Sequence, residues 1–332
     1  MVLKAIKPRQ RSRNSSLNYG LEEVKFIHSL KDLTIFFQKM SSYFPRLTGF
    51  YNLNKLFPPS LQIEPTNICN ARCLCCPTWT SPRPKGYMEY SLFEKIINDA
   101  AQIGVRRIRL FLHGEPMLHP KIIDMLGYIK SKGLALNLTT NGIRFNKEII
   151  KAILSSGVNS ADHITFSILG YSKHVHEMIM PGVNHEKVMK NISDFLEERK
   201  EHRMNGPVIE TIFYAMPDNE FEETQYFDYW RGKVDHARLG GRISESFAEY
   251  NQQEKKITPR MQTCTNIWER LTVLWNGDVT LCCQDVNGDW IIGNLKNQSI
   301  QEVWNSEQLL SIKRIHKEKR FRNFPFCYQC DM

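Results

Sequence analysis

Nine cysteines lie in this 332-residue chain, and the first four are the most specific chemical signal in it. They are Cys69, Cys73, Cys75 and Cys76, and the next cysteine is Cys264. Three of them have the spacing Cys69-x3-Cys73-x2-Cys76. Because a [4Fe–4S] cluster normally takes four thiolates, three ligands in one loop leave one iron open to a small molecule, as in catalytic metal sites. A structural zinc site or a group of clustered thiols is the alternative.

The other five cysteines form a second group toward the end of the chain. Four thiolates are enough to close a [4Fe–4S] cluster completely. A tight turn at Asn276-Gly277 would bring the first two of these ligands together. The same spacing would also suit a structural zinc ion with four cysteine ligands. The predicted ligands are Cys264, Cys282, Cys327 and Cys330.

The residues between the two groups predict the scaffold that positions them. From about residue 60, six short strands alternate with helices, which predicts an α/β fold with a parallel sheet and right-handed crossovers. Functional groups should then gather at the carboxyl ends of the strands. Ser91 and Glu94 have the spacing of a capping box at the first helix. The predicted strands are 61–66, 106–112, 135–140, 163–169, 208–216 and 234–239, and the predicted helices are 91–103, 120–132, 146–156, 185–201 and 219–231.

The pattern changes after about residue 243. Residues 270–275 and 278–283 are typical of a β-hairpin around the Asn276-Gly277 turn. A helix at about 299–315 and the cysteine tail follow. The sequence therefore predicts three regions, which are a basic N-terminal extension with one helix (1–59), an α/β core (60–242) and a small C-terminal domain with a β-hairpin and a helix (243–332).

The core resembles the radical S-adenosylmethionine (radical SAM) superfamily. Cys69, Cys73 and Cys76 follow the first strand, and His113-Gly114-Glu115-Pro116 follows the second. Thr140-Asn141-Gly142 ends the third strand, and Ser167 lies in the fourth. The resemblance implies a partial (β/α)6 barrel, similar to a TIM barrel, over roughly residues 60–242. His113 stands where the family has the first glycine of its Gly-Gly-Glu-Pro segment. The residues that the resemblance implies for S-adenosylmethionine are Gly114, Glu115, Pro116, Asn141 and Ser167, with Glu115 at the methionine amino group.

The C-terminal region resembles the SPASM/twitch extension of radical SAM enzymes. The matching segments are Cys264, Leu274-Trp275-Asn276-Gly277-Asp278-Val279, Cys282, Ile292-Gly293-Asn294-Leu295, Trp304-Asn305-Ser306 and Cys327-x2-Cys330. The resemblance implies the form with one auxiliary [4Fe–4S] cluster. The implied cofactors of the whole chain are therefore two [4Fe–4S] clusters and S-adenosylmethionine.

Two residues beside the auxiliary ligands have several possible roles. The spacing Gly-x4-Cys selects Cys282 as the ligand, which leaves Cys283 as a passive thiol, a substitute ligand or a hydrogen-atom donor. In related dehydrogenases a carboxylate directly after this ligand takes the substrate's proton. Because that position is Cys283 here, the nearest acid, Asp285, is the candidate base.

The resemblance also implies a function. One electron from the reduced cluster cleaves S-adenosylmethionine, and the 5′-deoxyadenosyl radical abstracts hydrogen from an organic substrate. Since an auxiliary cluster can accept an electron, we expect a net oxidation, by dehydrogenation or bond formation, of a peptide or sugar-type metabolite. The alternatives are a redox-neutral epimerase with a cysteine donor and a non-catalytic iron–sulfur or zinc scaffold. The expected reductant is a flavodoxin or ferredoxin.

The net charge of +9 is concentrated at the two ends of the chain. Residues 1–60 carry +7 and residues 311–322 carry +5, so the remainder carries −3. No recognisable module accompanies these basic runs, and nucleic-acid binding is not indicated. No apolar run reaches the roughly 18 residues of a membrane span, and no signal peptide is evident. We therefore expect a cytoplasmic protein that is not integral to a membrane.

Overall fold

The structure of the chain, a computed structural model, describes residues 56–243, 263–328 and 330. These residues belong to one compact unit. Residues 1–55, which include the predicted N-terminal helix and most of the basic extension, lie outside the described residues.

Nine strands form one sheet in the order β6-β5-β4-β3-β2-β1-β7-β8-β9. The first six strands of the chain are parallel to their neighbours, as the alternation of strands and helices predicts. The α/β class is therefore confirmed. The strands are β1 (Ser60–Ile63), β2 (Arg107–Leu110), β3 (Ala135–Thr140), β4 (His163–Ser167), β5 (Val208–Ala215), β6 (His236–Arg242), β7 (Arg270–Val273), β8 (Asp278–Thr280) and β9 (Ile291–Asn294).

Helices follow the strands of the core, and one of them was not predicted. It is α4, a short helix between β4 and the next long helix, and the hydroxyl of Ser172 caps it by accepting from the backbone N–H of Val175. The helices are α1 (Tyr90–Ile103), α2 (Ile122–Ser131), α3 (Lys147–Ser155), α4 (Lys173–Ile179), α5 (His185–Glu201), α6 (Glu223–Trp230), α7 (Asn266–Glu269), α8 (Ile300–Trp304), α9 (Glu307–Lys317) and α10 (Pro325–Tyr328).

The two faces of the core strands differ in polarity. Leu61, Ile108 and Leu136 are completely buried on one face, where they pack in a single core with apolar residues of the helices. The alternate positions, such as Gln62 and Arg109, are polar. Because side chains alternate between the faces of a strand, these polar residues form a second, inner face of the sheet.

Two predictions about helix ends are wrong. Helix α1 begins at Tyr90 after Glu89, with no side-chain cap, so Ser91 and Glu94 form no capping box there. The single helix predicted at 299–315 is instead α8 and α9, because the hydroxyl of Ser306 accepts from the N–H of Leu309 and starts a new helix. The chain does use a capping box at the start of α8, where Ser299 pairs with Glu302.

The C-terminal hairpin extends the core sheet. Strand β7 pairs in parallel with β1, and β8 and β9 continue from it in antiparallel order. The hairpin of β7 and β8 was predicted, but its pairing with the first strand was not. Periodicity identifies a strand without identifying its neighbour, so this contact was outside the reach of the sequence pattern.

A buried carboxylate joins the first strand to both regions. Glu64 directly follows β1, is completely buried, and accepts two hydrogen bonds from the guanidinium of Arg83, at 2.9 and 2.7 Å. It also accepts from the backbone N–H of Trp275 at 3.2 Å. The Nε of Arg83 donates to the carbonyl of Val286 at 2.8 Å. One ion pair therefore links the loop after β1 to the C-terminal hairpin.

Replacing Glu64 by alanine should lower the free energy of unfolding by about 3–5 kcal/mol, because Arg83 would stay buried without its partner. Burial raises the pKa of Glu64, but the hydrogen bonds from Arg83 and His113 outweigh it, so the pKa lies below its ordinary value of 4.5. The difference between wild type and variant should therefore be full above about pH 4.5 and shrink as the pH falls further. Urea denaturation of both proteins at several pH values measures this difference in the free energy of unfolding.

The matched control is Glu223→Ala. Glu223 pairs with Arg242 at 2.8 Å, but 58% of the Arg242 side chain is exposed. Exposed pairs contribute about 0–1 kcal/mol. Equal losses in the two variants would contradict the role given to Glu64.

Candidate active site

The first cysteines lie in the loop that follows β1 at the carboxyl edge of the sheet. Two backbone hydrogen bonds fix this loop, from the N–H of Arg72 to the carbonyl of Pro181 at 2.7 Å and from Leu74 to Ile179 at 2.9 Å. Helix α4 and the turn after it therefore position the cysteines. This support was not predicted, although Pro181-Gly182 is a turn signal in the sequence.

Gly182 allows the turn to approach the cysteine loop closely. Its φ is +93°, and a Cβ there would lie 2.8 Å from the carbonyl oxygen of Asn70. A side chain at this position would be strained and would push against the cysteine loop.

The three thiols with the predicted spacing lie within electrostatic range of one another. Burial raises the pKa of Cys69 to about 11, and the negative charges of Glu115 and Cys76 contribute. Burial also raises the pKa of Cys73, with contributions from Cys75, Cys76 and Cys69. Because thiolates are the ligands, a cluster that binds here must release these protons.

Glu115 lies beside the cysteine loop and is buried. Its oxygens accept hydrogen bonds from the N–H of Asn141 at 2.7 Å, the hydroxyl of Thr140 at 2.8 Å and the N–H of Met117 at 3.0 Å. Burial raises its pKa to about 7 although these three bonds lower it. A cation bound here would favour the ionised carboxylate, so the site suits an amino group.

Gly114 brings the Glu115 segment against the cysteine loop. The N–H of Glu115 donates to the carbonyl of Ile68 at 2.8 Å. The φ of Gly114 is +104°, and a Cβ there would lie 2.8 Å from the backbone of Asn67 and closer still to the carbonyl of Thr66. The segment then continues into a buried 3₁₀ turn that begins at Pro116.

The other predicted cofactor residues lie on the next two strands. Asn141 follows β3, and its side-chain amide donates to the side chain of Asn70 in the cysteine loop at 2.8 Å. Ser167 ends β4, the neighbour of β3, and is half-buried. The structure therefore brings Glu115 and Asn141 to the first cysteines, while the described residues show no hydrogen bond from Ser167 to either of them.

The five cysteines of the second group also come together. Burial raises the pKa of Cys282, and the charges of Cys283, Cys327 and Cys330 contribute. Burial likewise raises the pKa of Cys283, where Arg270 opposes the shift and Cys264 and Cys330 add to it. Both candidates are therefore near other thiols of the group. The choice of Cys282 as ligand stays a prediction.

Asp285 is buried and accepts hydrogen bonds from its own loop. It is 1% exposed and accepts from the hydroxyl of Thr280, from the N–H of Asp289 at 2.8 Å and from the N–H of Trp290 at 2.9 Å. These bonds hold the loop between β8 and β9. Its role as a base stays a prediction, and this geometry favours loop formation instead.

Tyr214, on β5, is within electrostatic range of a cysteine from each group. Burial raises the pKa of its phenol, Arg238 lowers it, and the charges of Cys283 and Cys75 raise it again. A single side chain is thus within range of one cysteine from each group. Tyr214 was not predicted as a site residue, because an isolated tyrosine in a strand belongs to no sequence pattern.

Among the described residues, the cysteines of each group are near one another but do not form a complete ligand set for one metal ion. No three histidine, cysteine or carboxylate side chains among the described residues form a group that could hold one metal ion. No pair of cysteines in the described part of the chain forms a disulfide. Among residues 56–243, 263–328 and 330, no helix is long and apolar enough to cross a membrane.

Comparison with protein families identifies the domain that contains each of the two cysteine groups. Residues 63–225 match the radical SAM superfamily, and residues 264–331 match SPASM, an iron–sulfur cluster-binding domain. The chain belongs to the radical SAM superfamily. The partial barrel and the SPASM resemblance predicted from the sequence are thereby confirmed.

Individual relatives support this membership. A tungsten-containing aldehyde ferredoxin oxidoreductase cofactor-modifying protein of Pyrococcus furiosus is 32% identical over 146 residues, 43% of this chain, and the match spans only 40% of that protein. An S-adenosyl-L-methionine-dependent 2-deoxy-scyllo-inosamine dehydrogenase of Niallia circulans is 21% identical over 281 residues, 84% of this chain and 94% of that protein.

A solved structure shares the fold. Streptococcus suis SuiB, solved with S-adenosylmethionine and with the precursor peptide SuiA, has a TM-score of 0.61 at 16% identity. The superposition with the S-adenosylmethionine complex covers 86% of this chain and 80% of SuiB.

The cofactors of this radical SAM protein follow from the two domains. They are S-adenosylmethionine with a [4Fe–4S] cluster in the radical SAM domain and iron–sulfur chemistry in the SPASM domain. The donor chemistry of the residues present fits these groups, because thiolates are the ligands of iron–sulfur clusters and each domain carries at least the three or four thiols that its cluster needs. Cys69, Cys73, Cys76, Cys264, Cys282, Cys327 and Cys330 stay the predicted ligands.

Replacing Gly114 by alanine should destabilise the radical SAM domain by about 1–3 kcal/mol, because an L-residue is strained at this φ and its Cβ would press on the loop backbone. We also expect the reconstituted variant to bind S-adenosylmethionine at least about tenfold more weakly. Urea denaturation and equilibrium dialysis measure the two effects.

The matched control is Gly127→Ala in α2, where a Cβ meets nothing within 4 Å. This change should stabilise the helix by about 0.5–1 kcal/mol and leave S-adenosylmethionine binding intact. If both variants behave alike, close approach at Gly114 is not what the cofactor site requires.

Proposed function

We propose that this radical SAM protein oxidises an organic substrate, of the peptide or sugar type, that binds inside the barrel between its two clusters. Bound S-adenosylmethionine, with a reduced [4Fe–4S] cluster held by the first cysteines, would supply a 5′-deoxyadenosyl radical for hydrogen abstraction. If the substrate radical then lost a proton, an auxiliary cluster held by the second cysteine group could accept the remaining electron, and the net reaction would be a dehydrogenation or a bond formation. The dehydrogenase activity of the Niallia relative and the peptide bound to SuiB support these two substrate classes.

The observation that carries the proposal is the position of Tyr214. Its phenol is within electrostatic range of Cys75 in the first loop and of Cys283 in the second. Tyr214 follows Glu210 and Ile212 at alternate positions of β5, so it lies on the inner face of the sheet. A substrate on that face would be reached from both cysteine groups.

The residues of this chain would hold and orient S-adenosylmethionine. Glu115 is fixed by three hydrogen bonds, so its carboxylate is already oriented for the methionine amino group. Asn141 is tied to both Glu115 and the cysteine loop. Such preorganisation lowers the cost of placing a reactive cofactor beside its substrate.

A flavodoxin or ferredoxin is the proposed reductant. Exposed basic residues near the second cysteine group would suit an acidic electron carrier, because opposite charges steer association. These residues are Arg314, Lys317, Lys319, Arg320 and Arg322.

Anaerobic reconstitution and metal analysis test the proposal. We expect about eight irons per chain, since two [4Fe–4S] clusters carry four each, and 5′-deoxyadenosine after reduction with dithionite. Cys73→Ala should remove about four irons and abolish 5′-deoxyadenosine, whereas Cys75→Ala is the matched control that keeps the full iron content. Zinc without iron, or no 5′-deoxyadenosine from the wild type, would contradict the proposal.

The same analysis assigns the ambiguous ligand in the second group. Cys282→Ala should lower the iron content by about four, because the closed cluster loses one of its four thiolates. Cys283→Ala should keep it. The reverse result would make Cys283 the ligand and Cys282 the spare thiol.

A redox-neutral epimerase is the second candidate function, favoured by the proximity of the Cys283 thiol to Tyr214. If Cys283 donates a hydrogen atom, a substrate turned over in deuterated water should carry deuterium at the reacting carbon. Substrate turned over without any solvent deuterium would argue for the oxidation instead.

A further inference from the structure

A polar row crosses the inner face of four neighbouring strands. Gln62 of β1 pairs with Arg109 of β2, Arg109 pairs with Asn137 of β3, and Asn137 pairs with His163 of β4. Parallel strands in α/β proteins are usually apolar on both faces. Three residues of this polar row have partners in the protein. Gln62 donates to the carbonyl of Phe111 at 3.2 Å, Asn137 accepts from Arg107, and His163 lies 3.4 Å from Glu210.

The cation in this row is not fully satisfied by hydrogen bonds. Among the described residues, the buried Nε of Arg109 has no hydrogen-bond partner. The residues before and after it, Ile108 and Leu110, are completely buried on the opposite face. Arg109 therefore points toward the inner face of the sheet, where its side chain is half-buried.

A second arginine joins it from the C-terminal hairpin. Arg270 begins β7, next to β1, and one of its Nη atoms donates to the side chain of Gln62 at 3.3 Å. Its buried Nε also has no partner among the described residues. Since Gln62 pairs with Arg109, the two guanidinium groups flank the same glutamine side chain.

Positive charge exceeds negative charge around these two arginines. Burial lowers the pKa of Arg109 to about 10, and the like charges of Arg270 and Arg107 lower it further, which Glu269 opposes. Burial raises the pKa of Glu269, and the charges of Arg270 and Arg109 oppose that rise. The next carboxylate on the inner face, Glu210, already pairs with Arg238 at 3.0 Å.

The arginines lie on the side of the sheet where the proposed substrate binds. The positive charge of Arg270 partly offsets the rise that burial causes in the pKa of the Cys283 thiol. The positive charge of Arg238 contributes to lowering the pKa of Arg109 and also opposes the rise in the pKa of Tyr214. The same inner face therefore carries Tyr214 and two arginines whose Nε atoms have no hydrogen-bond partner among the described residues.

We propose that Arg109 and Arg270 bind an oxyanion group of the substrate, a carboxylate or a phosphate, inside the barrel. The planar fork of arginine matches the oxygens of both groups, and the anion would balance the excess positive charge. This inference rests on the proposed function, because it assigns the recognition element of the same substrate. It narrows the peptide or sugar-type substrate to an acidic or phosphorylated one.

Anion binding to the reconstituted protein tests the inference. Inorganic phosphate and malonate are titrated by calorimetry with S-adenosylmethionine present, so that the cofactor carboxylate already occupies its own site. We expect one of the two anions to bind, and Arg109→Gln and Arg270→Gln each to weaken it about tenfold or more. Arg231→Gln is the matched control, because the Arg231 side chain is 78% exposed and pairs only at the surface with Asp228.

The outcome identifies the anion as well as the site. Tighter phosphate binding assigns a phosphorylated substrate, and tighter malonate binding assigns a carboxylate. The proposal is overturned if neither anion binds, or if Arg231→Gln weakens binding as much as Arg109→Gln does.

A second measurement needs no variant. Phenylglyoxal labelling of the wild-type holoprotein, followed by peptide mass spectrometry, should modify Arg109, and the bound anion should protect Arg109 but leave Arg231 reactive. Uncoupled formation of 5′-deoxyadenosine by the same preparation reports separately on the proposed function. Cleavage without anion protection overturns only the anion site, and protection without cleavage overturns only the radical chemistry.

Discussion

The ion pair between Glu64 and Arg83 is the contact on which both halves of the site depend. Glu64 directly follows the central strand β1, at the start of the loop that carries the first cysteines. The same carboxylate receives the backbone of Trp275, and the same guanidinium holds the carbonyl of Val286 in the C-terminal region. His113, in the segment that leads to Glu115, lies 3.5 Å from Glu64. A buried charge is strongly destabilising unless it is paired, so the stability of all these elements depends on this one ion pair.

This constraint explains how the chain builds a polar chamber in an apolar scaffold. The outer faces of the strands supply the hydrophobic core, which leaves the inner faces unneeded for folding. Those faces carry arginine, glutamine and glutamate, and they lie between a loop of three predicted cluster ligands and a group of five thiols. Because β7 pairs directly with β1, the second group is positioned by the same strand as the first. The sheet is thus the common frame for cofactor, auxiliary cluster and substrate.

Local patterns predicted most of the fold and the metal chemistry, and long-range pairing was hidden from them. The six parallel strands follow from alternating apolar segments, and the cysteine spacings indicated the clusters because their ligands are close in sequence. The pairing of β7 with β1 joins residues more than 200 positions apart, which no periodicity reports. Tyr214, Arg109 and Arg270 were missed for the same reason, since each is an ordinary strand residue until the sheet brings it beside the others. The helix break at Ser306 was missed because an apolar period continued across a hydroxyl that caps a new helix.

The central claim is that one cluster has an open iron that binds S-adenosylmethionine while the other is fully ligated by the protein. Electron paramagnetic resonance of the reduced protein, recorded as S-adenosylmethionine is added, tests it most directly. The spectrum should contain signals from two clusters, of which one shifts on addition of S-adenosylmethionine and the other does not. A spectrum in which no signal changes would contradict the open site, and one in which both change would contradict the closed auxiliary cluster.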